Sequence, residues 1–175
     1  MHKKKVLLLV AQHGFQTKEY FDTRSELEQA GIEVVTAAPS HSPAFSNIDE
    51  EIMTDLALNE VKVSDYDGIF AIGGPRALEY LDNEGTARIF KDAVQMKNYP
   101  YGAICISPRI LAKAGVLKGK RATGWDRDGN LQNIFDEYGV IYINEPVVSD
   151  GVVVTASGPT AGHDFGKEIA RVIIA

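Results

Sequence analysis

The residues best suited to chemistry lie in the stretch Tyr101-Gly102-Ala103-Ile104-Cys105-Ile106-Ser107-Pro108-Arg109-Ile110-Leu111, which holds the only cysteine of the chain. An apolar run leads into Cys105 and a helix start follows it. Ser caps helix N-termini well, and Pro suits the first helical position because its missing N–H would be unpaired there. Strand, nucleophile and helix in that order make a nucleophile elbow. The turn lifts the side chain out of the sheet, and the N–H groups at the positive end of the helix favour a thiolate over a thiol. The competing reading is a core cysteine, since free Cys is among the most buried residue types.

Two other segments leave apolar runs with unusual residues: Gln12 to Glu19, and Gly73 to Arg76. Gly73-Gly74 lets backbone N–H groups approach a substrate oxygen, as an oxyanion hole requires; the alternative is a tight turn into a helix. Backbone N–H groups around Gly74 and Ile106 are the candidates for that role. Glu19 is either a proton carrier or a solvated carboxylate in a helical first turn. His13 sits at a strand end, where it either pairs with Cys105 or faces solvent. His163 falls in the first turn of the last helix, where the dipole makes it a poor cation. Trp125 is the lone tryptophan. No Cys/His cluster has metal-ligand spacing, and no phosphate-loop or dinucleotide glycine pattern occurs, so neither a metal nor a cofactor is expected.

The elements that must position these residues follow from the apolar pattern. Lys5 to Ala11, Ile32 to Ala38 and Gly68 to Ile72 read as buried parallel strands. A helix from Thr17 to Ala30, ended by Gly31, joins the first two. Ile52 to Asp55 and Leu56 to Val61 suggest short strands of an excursion. Helices follow over Ala77 to Leu81 and Glu84 to Lys97. After the elbow come a short strand from Arg121 to Trp125, a helix from Asn130 to Tyr138, and strands over Val140 to Ile143 and Pro146 to Ala156. Asp150-Gly151 marks a type I′ hairpin turn within the last of these. Gly158-Pro159 opens a final helix through Ile174. The alternation predicts a single α/β domain over residues 1–175: a flavodoxin-like doubly wound sandwich with a mostly parallel sheet. Its ligand crevice lies outside the carboxyl ends of the strands, where all three unusual segments emerge.

Composition narrows the function. The 175 residues are 45% hydrophobic and 24% charged, with a net charge of −6. That balance argues against a nucleic-acid or anionic-membrane partner. One cysteine makes no internal disulfide and fits a reducing cytoplasm. The apolar start after Lys3-Lys4-Lys5 is too short for a signal peptide, and nothing approaches a membrane span.

The pieces together resemble the ThiJ/DJ-one/PfpI superfamily over nearly the whole length. The resemblance rests on Tyr66-Asp67-Gly68-Ile69 through Gly73-Gly74, on Ala103-Ile104-Cys105-Ile106-Ser107-Pro108 with Leu111, Ala114-Gly115 and Leu117-Lys118-Gly119-Lys120, and on Ser157-Gly158-Pro159-Thr160-Ala161 with Phe165. It implies a homodimer, Cys105 on the elbow, and a protonated Glu19 bonded to it. The chain departs from the family pattern twice. PfpI-like members carry His directly after the cysteine, where this chain has Ile106. Deglycase-like members carry His where it has Trp125.

The expected function is a cofactor-independent cysteine enzyme acting on a small reactive carbonyl, glyoxalase- or deglycase-like, with Cys105 as nucleophile and Glu19 as proton partner. The alternative is a redox-responsive protective protein whose Cys105 becomes a sulfinate. An intracellular peptidase is a third reading, and it lacks its general base. Trp125 is expected beside the crevice. Tyr20 and Phe21, on the first helix, are expected to need cover from a dimer partner.

Overall fold

The computed structural model describes residues 2–175. In chain order, β1 (Lys5–Leu9) leads through a short β2 (His13–Phe15) into α1 (Thr17–Gln29), and β3 (Glu33–Ala38) returns beside β1. The excursion holds β4 (Ala44–Ser46), β5 (Glu51–Ile52) and β6 (Leu56–Ala57). Next come β7 (Gly68–Ala71), α2 (Ala77–Leu81), α3 (Glu84–Gln95), β8 (Tyr101–Ile104) and α4 (Pro108–Lys113). The chain ends with β9 (Arg121–Ala122), α5 (Leu131–Glu137), β10 (Ile141–Tyr142), β11 (Val147–Asp150), β12 (Val153–Ala156) and α6 (Gly162–Ile174).

The main sheet has seven strands in the order β11-β12-β8-β7-β1-β3-β6, and every neighbouring pair is parallel except β11–β12. The strand side-chain period of two explains the layers. Leu7, Leu9, Ile69, Ala71 and Ala103 pack on one face with Ile89 and Phe90 of α3, Leu111 of α4 and Phe135 of α5. Val6, Leu8, Phe70, Ile104 and Val154 pack on the other with Leu27 of α1 and Phe165 and Ile169 of α6. This is the flavodoxin-like doubly wound α/β sandwich expected. The chain goes from β1 to β3 on one side and then to β7 on the other, so the order reverses at β1. A crevice at the carboxyl ends of the strands around such a switch point is the usual ligand position.

Several local expectations need correction. The strand expected over Arg121 to Trp125 stops at Ala122, and it pairs with β10 in a separate two-stranded sheet. Leu58–Glu60 is a single 3₁₀ turn rather than strand, and Pro159–Ala161 is another before α6 begins. The short β2 and β4 had no periodic signal; with β5 they form a small sheet whose β2 immediately precedes α1. The β11–β12 turn has Gly151 and Val152 at its centre, and of these Gly151 is at positive φ (62°), which is type II′ rather than I′. Tyr20 is buried beneath α1, its hydroxyl 2.8 Å from Thr36 Oγ1, so it needs no partner; Phe21 beside it is exposed.

Gly102 shows how tightly the sheet closes beneath the site. A Cβ there would stand 1.6 Å from the Val154 carbonyl oxygen of β12. Gly102→Ala is expected to cost on the order of 4 kcal/mol. That lowers Tm by roughly 8–16 °C for a chain of this size. Thermal unfolding followed by circular dichroism checks this, and a Tm change under about 2 °C would contradict the close packing.

Candidate active site

Cys105 follows β8 directly and has φ +65°, one of three non-glycine residues at positive φ among the described residues. Such a conformation costs a non-glycine residue on the order of 1–3 kcal/mol, and it persists only where the surroundings impose it. Those surroundings are visible. Cys105 N–H donates to the Ala156 carbonyl at 2.9 Å, extending the β12 pairing, and its carbonyl accepts from Trp125 N–H at 2.7 Å. Ser107 does not cap α4 as its residue type suggests. Its backbone is already helical, and its hydroxyl donates to the Ile72 carbonyl at 2.7 Å, tying the elbow to the end of β7.

Glu19 lies in the first turn of α1 and is fully buried. Its Oε1 accepts from Gly73 N–H at 3.0 Å. Its Oε2 has no hydrogen-bond partner, and the Cys105 thiol adjoins the carboxyl group. Gly73 sits between the two: a Cβ on it would stand 2.6 Å from Cys105 Cβ and 2.7 Å from Glu19 Oε1. Gly74 has φ +133°, and a Cβ there would stand 2.3 Å from the Gly14 carbonyl oxygen. Glycine at both positions is what lets three strand ends converge. The backbone N–H groups of Ile106 and Gly74 lie near the Cys105 sulfur and favour its charged form. An oxygen bonded next to that sulfur would meet the same donors.

Burial raises the Glu19 carboxyl to about 8; the bonds from Cys105 and Gly73 only partly oppose it. At neutral pH the group therefore carries its proton. Burial also pushes the Cys105 thiol up, and the negative charge of an ionised Glu19 would push it further; the Ile106 and Gly74 N–H groups pull it down. The upward push from that charge is absent while Glu19 is protonated. The two groups thus share at most one negative charge at neutral pH and titrate as a coupled pair. Burial opposes a charge on the sulfur most, and the donors that would serve one there are two backbone N–H groups and the Glu19 O–H. A Glu19 carboxylate has the single Gly73 N–H.

Cys105, Glu19, Gly74, Ile106 and Trp125 line one cavity of about 760 Å³ at the strand ends. Gln16, Leu78, Tyr142 and Asn144 also line it. Gln16 belongs to the Gln12 to Glu19 segment already singled out, whereas the other three carry no sequence signal; Tyr142 comes from the small β9–β10 sheet, whose position only the tertiary fold sets. His13 does not belong with the others. Its ring stacks on Phe45 with centroids 5.4 Å apart and tilts against Tyr80, so it does not pair with Cys105. His163 bonds Glu26 at 2.9 Å and Asp22 at 3.2 Å between α6 and α1. No histidine lines the cavity.

The profile of the DJ-1/PfpI family matches residues 4–172, nearly the entire chain. The chain belongs to the DJ-1/PfpI family. An uncharacterised protein of Methanocaldococcus jannaschii is 31% identical to it over 173 residues, covering 99% of this chain and 84% of that one. A glutathione-independent glyoxalase of Caenorhabditis elegans is 25% identical over 171 residues, covering 98% and 89%. The crystal structure of a ThiJ/PfpI domain protein from Brachyspira murdochii superposes with a TM-score of 0.91 at 24% identity, covering 99% and 98% of the two chains. Family membership and fold thus agree with the sequence reading. Ile106 and Trp125, the two positions at which the sequence reading noted a departure from the family pattern, both line the cavity.

Trp125 and Cys105 share the cavity, so modification of one should be reported by the other. Complete alkylation of Cys105 with iodoacetamide is expected to change the emission of this sole tryptophan. Unchanged emission on the fully alkylated protein would place the indole away from the sulfur.

Proposed function

We propose that the protein is a cofactor-independent cysteine enzyme that converts small reactive α-oxoaldehydes, in the manner of a glutathione-independent glyoxalase. The observation that carries the reading is the buried Glu19 carboxyl, raised to about 8 beside a nucleophile-elbow cysteine. A thiolate at Cys105 adds to the aldehyde carbon of methylglyoxal. The resulting oxyanion takes the Glu19 proton and lies against the Gly74 and Ile106 N–H groups. The Glu19 carboxylate formed in that step then removes the proton from the former aldehyde carbon and returns it to the neighbouring carbon, while the hydroxyl proton on the first carbon passes to the oxygen of the second, leaving a carbonyl on the first. The product is a Cys105 thioester, and water hydrolyses it to lactate and the free thiol. The sum is methylglyoxal plus water to lactate, with no external oxidant or reductant. Support also comes from the glyoxalase name of the nematode relative.

The sign of the pH dependence follows. Glu19 must hold a proton when the thiolate attacks, so kcat/KM is expected to fall as pH rises through about 8. Cys105→Ala should abolish lactate formation. Glu19→Gln keeps the shape but moves no proton, and is expected to lower kcat by roughly 10²–10⁴-fold. Lactate released from methylglyoxal, measured against pH for all three proteins, checks these outcomes. Wild-type turnover no greater than that of Cys105→Ala would reject the reading.

The absence of any histidine from the cavity wall favours one second reading. With Glu19 the only titratable partner of the sulfur in the cavity, slow turnover would leave the thiolate open to peroxide. Two equivalents of peroxide convert it to a sulfinate and two waters, and the Glu19 O–H would hold a sulfinate oxygen. Intact mass after mild peroxide, a gain of two oxygens in wild type and further oxidation in Glu19→Leu, is its signature.

A further inference from the structure

Arg109 is an unusual residue for its place. It lies at the start of α4, where the helix dipole disfavours a cation, and its side chain is only 9% exposed. Its two terminal nitrogens are held, while its buried Nε has no hydrogen-bond partner. Nη1 and Nη2 donate to the two Asp128 carboxylate oxygens at 2.9 and 2.8 Å, and Nη2 also donates to the Trp125 carbonyl at 2.9 Å. The guanidinium carbon stands 5.4 Å from the centre of the Trp125 ring, within cation–π range. The Trp125 backbone is held from the other side by its N–H bond to the Cys105 carbonyl at 2.7 Å. The indole is thus fixed by backbone bonds at both ends of the residue and by a cation against its ring. It forms a wall of the cavity that Cys105 opens into, together with apolar groups of Leu78 and Ile106. That cavity, about 760 Å³, is far larger than a three-carbon oxoaldehyde requires.

We propose that Arg109 is a positioning residue: clamped on Asp128, it holds Trp125 as an aromatic wall beside Cys105, and that wall makes the site prefer carbonyl compounds bearing an aromatic or bulky apolar group over methylglyoxal. The proposal deepens the reading of Cys105 as the reacting nucleophile and rests on it. Arg109 does not line the cavity, so it acts through Trp125. Stacking on a fixed indole adds to simple burial of an aromatic group, and a mobile indole forfeits the gain.

The test uses alkylation rather than turnover, so a failed glyoxalase assay leaves it intact. Rates of Cys105 modification by N-phenylmaleimide and N-methylmaleimide are measured, and their ratio is divided by the same ratio for glutathione. In wild type the normalised ratio should exceed one, by roughly fivefold. It should fall to near one in Asp128→Asn and in Arg109→Met, while acrylamide quenching of Trp125 rises and N-methylmaleimide reactivity stays within about twofold. Asp128 is largely exposed on its loop, so Asp128→Asn decides the matter if Arg109→Met does not fold. A wild-type ratio near one overturns the proposal. So does a raised ratio that survives Asp128→Asn, or loss of the ratio with Trp125 quenching unchanged.

Discussion

Burial ties the ionisation of Cys105 and Glu19 together, so that neither can ionise without regard to the other. Glu19 is fully buried in α1 and Cys105 nearly so at the end of β8. Two negative charges in such a place would repel through a poorly screened medium. The consequence is a shared proton. In the reaction proposed above, a carboxyl held neutral to about pH 8 would be an acid when the thiolate attacks and a base immediately afterwards. Under that proposal a single carboxyl serves both proton transfers, and no histidine lines the cavity.

The scaffold can be understood as what it takes to hold that pair. The left-handed backbone at Cys105 is held by the Ala156 and Trp125 backbone bonds and by the Ser107 hydroxyl on Ile72. Gly73 allows sulfur and carboxyl to meet across it, and Gly74 lets the β7 end pass against Gly14 and Gln16. α1 packs against α6, where a Cβ on Gly166 would stand 2.8 Å from Glu26 Cβ, so the helix that carries Glu19 is seated on a close interhelical contact. A shift of any of these elements would move one member of the pair relative to the other.

Much of this was legible in the sequence, and the reason is local. The runs of β1, β7 and β8 are apolar because parallel strands are buried on both faces, and that pattern survives without knowledge of partners. The elbow was legible because Cys-Ile-Ser-Pro compresses strand end, turn and helix start into four residues. Glu19 as partner came through family resemblance, since its burial depends on how α1 lies against the ends of β7 and β8. What was not legible depends on tertiary placement. Ser107 has the residue type of a cap but bonds a distant carbonyl. His13 has the residue type of a base but is turned into the β2–β4–β5 sheet by Phe45. Tyr142 and Asn144 reach the cavity only because β10 pairs with β9, and Arg109 matters only because the loop after β9 folds back over the elbow.

The central claim, that Glu19 acts on the sulfur as a proton donor and not as a negative charge, is tested by the sign of one shift. The ultraviolet absorbance of the Cys105 thiolate is titrated in wild type and in Glu19→Leu. If Glu19 is neutral and donates to the sulfur, its removal raises the thiol pKa by about one unit or more. If it were ionised, removing it would relieve repulsion and lower the thiol pKa. A downward shift, or none, contradicts the account.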